Sequence, residues 1–422
     1  MMVLTRHFSS TQRTAIVAMA LVLMLTVLSA QAVQAQTFQV IHTFTGGADG
    51  ANPLAGLTMD SAGRLYGTAK TGAQGFGTVF KMARSGSSWT FAPLYTFTDG
   101  TDGAYPAAAV TFGPDGGIYG TTEYGGDSTC YQGCGVVFEL RPSITPPHSV
   151  FSPWDETVIF QFNFWTDGAL PASEVIFDAA GNLYGTTVGG GSVEHHDGVG
   201  EDCIDHCGVA YELSKVNGNW DLSRSYLFTE DTGSNPWAGL VFDQQGNLYG
   251  AASYTGPYGY GSIFELTPSG SGFGERLVFA FSSRDGGDVF GTLVMDSAGN
   301  LYGGNPGLEN SYDGTVFSIS SSGGFLTIYT FGEGQGPYGG LTMDAAGNLY
   351  GTTPVGGANN FGSVFKLTHS NGSWTYSSLH DFVSTDGCQS TARVLLNASG
   401  NLYGTSSRCG ANGYGTVWEI TP

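Results

Sequence analysis

The sequence predicts an all-β protein, a seven-bladed β-propeller of four-stranded blades closed by an N-terminal strand that completes the last blade. Three observations predict it: one tripeptide recurs seven times, each copy carries the same turn signals, and the strand count leaves the last copy one strand short while a spare strand stands at the N-terminus. The tripeptide is Leu-Tyr-Gly, at Leu65-Tyr66-Gly67, Ile118-Tyr119-Gly120, Leu183-Tyr184-Gly185, Leu248-Tyr249-Gly250, Leu301-Tyr302-Gly303, Leu349-Tyr350-Gly351 and Leu402-Tyr403-Gly404. Its tyrosines are 53, 65, 65, 53, 48 and 53 residues apart, near the period of propeller blades, with loop insertions accounting for the two long intervals.

Repeat six shows the unit most clearly. Strand a is read at Gly340–Met343, strand b at Asn348–Thr353, strand c at Gly362–Leu367 and strand d at Trp374–Phe382. All four are rich in β-branched and aromatic residues bounded by turn formers. Between a and b stands Asp344-Ala-Ala-Gly347-Asn348, with equivalents at Asp60, Asp178, Asp243 and Asp296 and with Asn397 in repeat seven. An Asp or Asn bonds the backbone two residues on and the glycine takes the left-handed position of a tight hairpin, so these aspartates are expected to form turns rather than to bind metal or catalyse. The seventh c strand, Gly415–Ile420, is followed only by Thr421 and Pro422, whereas Gln39–Phe44 matches the d strands ending Leu94-Tyr-Thr-Phe97 and Ile328-Tyr-Thr-Phe331. Pairing that segment with repeat seven removes the exposed sheet edges.

Residues 1–35 are expected to be a secretory signal peptide, and residues 36–422 one propeller domain. Arg6 and Arg13 precede an apolar run from Ala15 to Ala30, small residues follow at Ala30, Ala32 and Ala35, and no acid occurs before Asp49. A retained membrane anchor is the competing reading, but the run is short for a span of about 20 residues. Removing Arg6 and Arg13 from the 14 basic residues leaves 12 against 35 acidic ones, a net charge of −23. Such a surface repels nucleic acid and anionic lipid. The 67 glycines imply many tight turns, because aromatics are abundant as well. Secretion to the extracellular space or periplasm, no membrane span after cleavage and a monomer are the expectations.

Six cysteines follow the signal: Cys130, Cys134, Cys203, Cys207, Cys388 and Cys409. An even count in an exported chain reads as disulfides. Proximity favours Cys130–Cys134 and Cys203–Cys207, leaving Cys388–Cys409 to join two loops of the last blade.

The units Gly-Asn-Leu-Tyr-Gly-Thr-Thr, Gly-Ser-Val-Phe-Lys-Leu and Tyr-Thr-Phe resemble the GloVer tandem repeat of exported bacterial "choice-of-anchor" proteins, over essentially all of residues 37–420. The a–b hairpin also resembles NHL-like propellers and the virginiamycin B lyase-like group. The resemblance implies an exported or surface protein of undefined activity. Members often carry a C-terminal sorting anchor, which is not expected here.

In a four-stranded blade the b–c and d–a loops share one face. Here they hold the insertions and all six cysteines, the usual arrangement of a binding site on a rigid scaffold. A column just before strand a reads Gly56, Ala109, Glu174, Gly239, Thr292, Gly340 and Arg393, placing opposite charges at the channel mouth in repeats three and seven. They could orient a polar ligand, or simply pair with each other. Trp237, Phe290 and Tyr338 precede the column in repeats four to six, Tyr105 and Trp165 stand on neighbouring loops, and Tyr254, Tyr258 and Tyr260 lie in the repeat-four loop. Flat rings suit stacking on sugars, with packing between blades as the alternative. His195, His196 and Asp197 open an acidic insertion whose spacing matches no zinc pattern, so they are weak metal candidates.

The expected function is a secreted recognition or scaffold module binding an extracellular glycan, another cell-surface ligand or a surface protein, with no cofactor and no catalytic residue assigned. The alternative is a propeller enzyme of lyase or lactonase type. Against it, strand a offers only Thr58, Thr111, Ile176, Val241, Val294, Thr342 and Leu395 to the channel.

Overall fold

The computed structural model describes residues 36–422 except 73–74, 127–129, 145–152, 192–206, 308–312 and 334. The signal-peptide expectation therefore lies outside the described residues, as do His195, His196, Asp197 and Cys203.

The described chain is all-β. In repeat one, strands a to d are Thr58–Met59, Leu65–Ala69, Thr78–Ser85 and Ser88–Thr96, hydrogen-bonded antiparallel in that order. Repeat six follows the same plan with Thr342–Met343, Leu349–Thr353, Ser363–Ser370 and Ser373–Asp381, so strand a is shorter and strand c longer than the sequence pattern indicates. Five of the sheets are four-stranded. The sixth is eight-stranded because the sheets of repeats three and four are joined through a parallel bridge, Ser225 to Gly272.

The recurring tripeptide has a packing cause. Its leucine or isoleucine is buried in every repeat. Its glycine lies under the aromatic ring that strand c contributes, from Phe80 in repeat one to Trp418 in repeat seven, where an added Cβ would fall under 3.0 Å from the ring. Its tyrosine reaches back to the a–b turn, as when the Tyr350 hydroxyl donates to Asp344 Oδ2 at 3.0 Å. The turn aspartate's other oxygen accepts the backbone N–H groups of Ala346 and Asn348, each at 2.9 Å. One aspartate thus ties a hairpin and a neighbouring strand together, the turn role expected of it.

The core lies between repeats rather than within them. Buried clusters join consecutive repeats: Leu94, Val110 and Phe138 between one and two, and Phe44, Leu65, Phe80 and Val417 between seven and one. Threonine hydroxyls add polar stitches, because Thr68 donates to Ala108 O at 3.0 Å, Thr352 to Ala392 O at 2.9 Å and Thr405 to Ala55 O at 2.8 Å. The last repeat is therefore bonded back to the first. The three strand-a threonines do similar work: Thr58, Thr111 and Thr342 donate to Val110, Val175 and Val394 of the following repeat.

The N-terminal strand Thr37–Thr43 pairs antiparallel with Thr416–Thr421, from Thr37 opposite Thr421 to Thr43 opposite Thr416. Repeat seven thereby gains its fourth strand from the start of the chain. Disulfides link Cys130 to Cys134 and Cys388 to Cys409, the latter with Cα atoms 5.4 Å apart. The Cys203–Cys207 expectation falls partly outside the described residues.

Candidate functional site

Strand a is two residues long, as at Thr58–Met59 and Thr342–Met343, and the segment leading into it comes from the d–a loop. All seven members of the column, Gly56, Ala109, Glu174, Gly239, Thr292, Gly340 and Arg393, line one cavity of about 580 Å³. Small residues dominate because neighbouring repeats approach closely. A Cβ on Gly239 would stand 2.7 Å from the Thr292 hydroxyl, which instead accepts the Gly239 N–H at 3.0 Å.

The position two residues earlier is occupied in turn by Leu54, Ala107, Ala172, Trp237, Phe290, Tyr338 and Thr391, and each of these also lines the cavity. The three aromatics belong to consecutive repeats and form one continuous sector. Phe290 and Tyr338 stack at 4.5 Å between ring centroids and 7° between planes, and Tyr254 stands edge-on to Phe290 at 5.8 Å. These contacts pack repeat four on five and five on six, the packing role expected as the alternative for these aromatics. Tyr338 keeps an exposed surface of 40%. Burial, with Tyr254 and Asp288 nearby, pushes its hydroxyl up to about 12, so it remains a neutral donor at ordinary pH.

Two ion pairs supply the charge. Arg393 donates to Glu174 Oε2 at 3.2 Å, linking repeats seven and three, which are not neighbours, so the pair bars the cavity. Lys70 meets Glu123 at 2.6 Å. The sequence pattern also contained this second pair. The residue directly after strand b reads Lys70, Glu123, Val188, Ser253, Pro306, Pro354 and Ser407, and its only two ionisable members are of opposite sign in adjacent repeats. Tyr124, next to Glu123, lines the cavity as well.

Tyr105 and Trp165 do not line it. Tyr105 stands edge-on to Tyr124 at 5.7 Å and to Phe76 at 6.0 Å, behind the wall that Tyr124 forms. Trp165 lies against Phe164 at 5.4 Å and is 57% exposed. It stands nine residues before the column, whereas Trp237 stands two residues before it. Among the described residues no group of three or more His, Cys, Asp or Glu could hold a metal ion. Both cavity carboxylates already face a cation. The arrangement offers flat apolar surface on one side and hydrogen-bond donors on the other.

The Gloeobacter/Verrucomicrobia repeat matches the sequence over residues 26–201, 156–336 and 332–422. No curated protein matches it at a significant level. Among solved structures, the extracellular domain of a candidate one-component system from B. thetaiotaomicron superposes with a TM-score of 0.50 at 12% identity, over 91% of this chain and 40% of that one. A candidate 6-phosphogluconolactonase from Bacteroides uniformis gives a TM-score of 0.50 at 14% identity, over 81% of this chain and 88% of that one. The chain thus spans well under half of the first protein and most of the second. At these identities the likeness establishes a propeller-like fold and nothing of activity. Among the described residues, no helix is long and apolar enough to cross a membrane.

Proposed function

The chain belongs to the Gloeobacter/Verrucomicrobia repeat family, and from this premise and the cavity's geometry we propose that it is an exported seven-bladed β-propeller that recognises a carbohydrate at its centre. The blade count follows if the eight-stranded sheet is taken as two blades, with Thr37–Thr43 as the outer strand of the last. Export accords with the disulfides, which persist in oxidising compartments. The observation that carries the reading is the division of one cavity into an aromatic sector, Trp237, Phe290 and Tyr338, and a sector of paired charges. Sugars present a carbon face to rings and hydroxyls to polar groups, and this cavity answers both.

The test is a glycan array of residues 36–422, followed by calorimetry on the glycans retained. Trp237→Ala should weaken binding by about 1–3 kcal/mol, the cost of a lost anchor, with the melting temperature nearly unchanged. A strong fall in melting temperature with intact affinity would make Trp237 a packing residue and end this reading. The lactonase-type neighbour keeps a second reading in play. Under it Glu174→Gln would abolish a turnover of lactone or polysaccharide that the aromatic substitutions leave alone.

A further inference from the structure

The charges in the cavity are not presented equally. Its lining includes four ionisable acid or base side chains, Lys70, Glu123, Glu174 and Arg393. In both pairs the cation is the more exposed partner. The side chain of Arg393 is 44% accessible against 16% for Glu174, and that of Lys70 is 25% against 9% for Glu123. The carboxylates are recessed and the donors face the open space. Arg393 meets Glu174 through one nitrogen at 3.2 Å, the single side-chain hydrogen bond it makes among the described residues. A guanidinium carries five N–H donors in a planar fork that matches a carboxylate, so most of its capacity is unspent. The Lys70 ammonium likewise has three donors and one close carboxylate. In a chain with 14 basic and 35 acidic residues, two accessible cations on one small cavity run against the composition.

We propose that the cavity selects acidic glycans, reading a uronate carboxylate with Arg393, supported by Lys70, while the aromatic sector holds the sugar's carbon face. This inference rests on the carbohydrate reading above and names its ligand class. A neutral sugar uses the rings but leaves the fork to water, whereas a uronate uses both. The negative surface does not prevent it, because at physiological ionic strength charge is screened beyond about 8 Å. Glu174 acts as a stand-in anion that the ligand carboxylate replaces at Arg393.

The experiment is calorimetry of residues 36–422 with galacturonate, glucuronate and alginate oligomers. Each is compared with its own methyl ester, which keeps the carbon skeleton and removes the charge. At least one free acid should bind about tenfold or more tighter than its ester, the range for a charge-assisted contact. Arg393→Gln should erase that preference, and Trp237→Ala should weaken acid and ester together. Arg393→Gln leaves Glu174 unpaired, so the double variant Glu174→Gln/Arg393→Gln serves as its control and should bind acid and ester alike. Glu174→Gln alone frees the fork and should bind the acid more tightly than the parent. Esters that bind as well as acids, or neutral glycans that bind while every uronate fails, would overturn the acidic selectivity and leave the carbohydrate reading standing. Failure of all glycans would remove both.

Discussion

The turn aspartates and the half-buried Glu156 set opposite ends of the stability profile. At Asp178 burial pushes the carboxyl up, but donation from Asn182, Tyr184 and the turn backbone outweighs it and the group is held below its ordinary range. Asp296 and Asp344 have the same balance. A carboxylate held low in the folded state stabilises at pH above its unfolded value near 4, and that contribution is lost as pH falls through the folded value. Asp344→Ala should therefore cost about 1–3 kcal/mol at neutral pH, for a charged acceptor removed from four donors, and the cost should shrink as pH falls below about 4. Glu156 behaves oppositely. Burial, with Asp102 adding like charge, pushes it up to about 8, and its Oε1 is buried without a hydrogen-bond partner. The folded state then binds the extra proton between about pH 4.5 and 8, so stability falls as pH rises through that window. Glu156→Gln should raise the melting temperature at pH 8.5 and leave it nearly unchanged at pH 4. Equal effects at both pH values would contradict this account.

Among the elements, the N-terminal strand has the most specific anchorage. Glu419, fully buried in the last c strand, accepts from Gln39 Nε2 at 2.6 Å, Asn401 Nδ2 at 3.0 Å and Trp89 Nε1 at 3.4 Å, and also pairs with Arg84. One carboxylate thus joins the N-terminal strand, repeat seven and the outer hairpin of repeat one. Glu419→Ala removes the shared acceptor, and because Arg84 and Gln39 remain open to solvent it should destabilise by about 1–3 kcal/mol, read by chemical denaturation. Deleting residues 37–45 should open the same junction and expose a strand edge prone to aggregation. A deletion variant as soluble and stable as the parent would show that the ring does not depend on this strand. The Cys388–Cys409 bridge joins the two loops of that repeat on the cavity face, and non-reducing peptide mapping should recover it intact.

At the scale of the whole molecule, the sequence revealed what repeats and concealed what does not. The Leu-Tyr-Gly register located the strands, and the column ending in Arg393 pointed to the cavity, which all seven of its equivalent positions line. Trp237, Phe290 and Tyr338 were legible for the same reason, standing two residues from that column. Trp165 and Tyr105 were not, since loop residues farther from strand a can turn outward or behind a neighbour without leaving a periodic trace. Lys70 and Glu123 were recoverable, but only by aligning the residues after strand b as well as those before strand a. That two such columns meet in one cavity follows from the packing of the repeats on one another, which local pattern does not encode.

The central claim is that this shared cavity is where the protein recognises its ligand. A crystal structure of residues 36–422 with the tightest-binding oligosaccharide tests it most directly. The account predicts an ordered sugar ring against Trp237, Phe290 and Tyr338, with a polar group on Arg393. An ordered sugar on the outer strands or the a–b turn face, with the cavity holding only solvent, would contradict it.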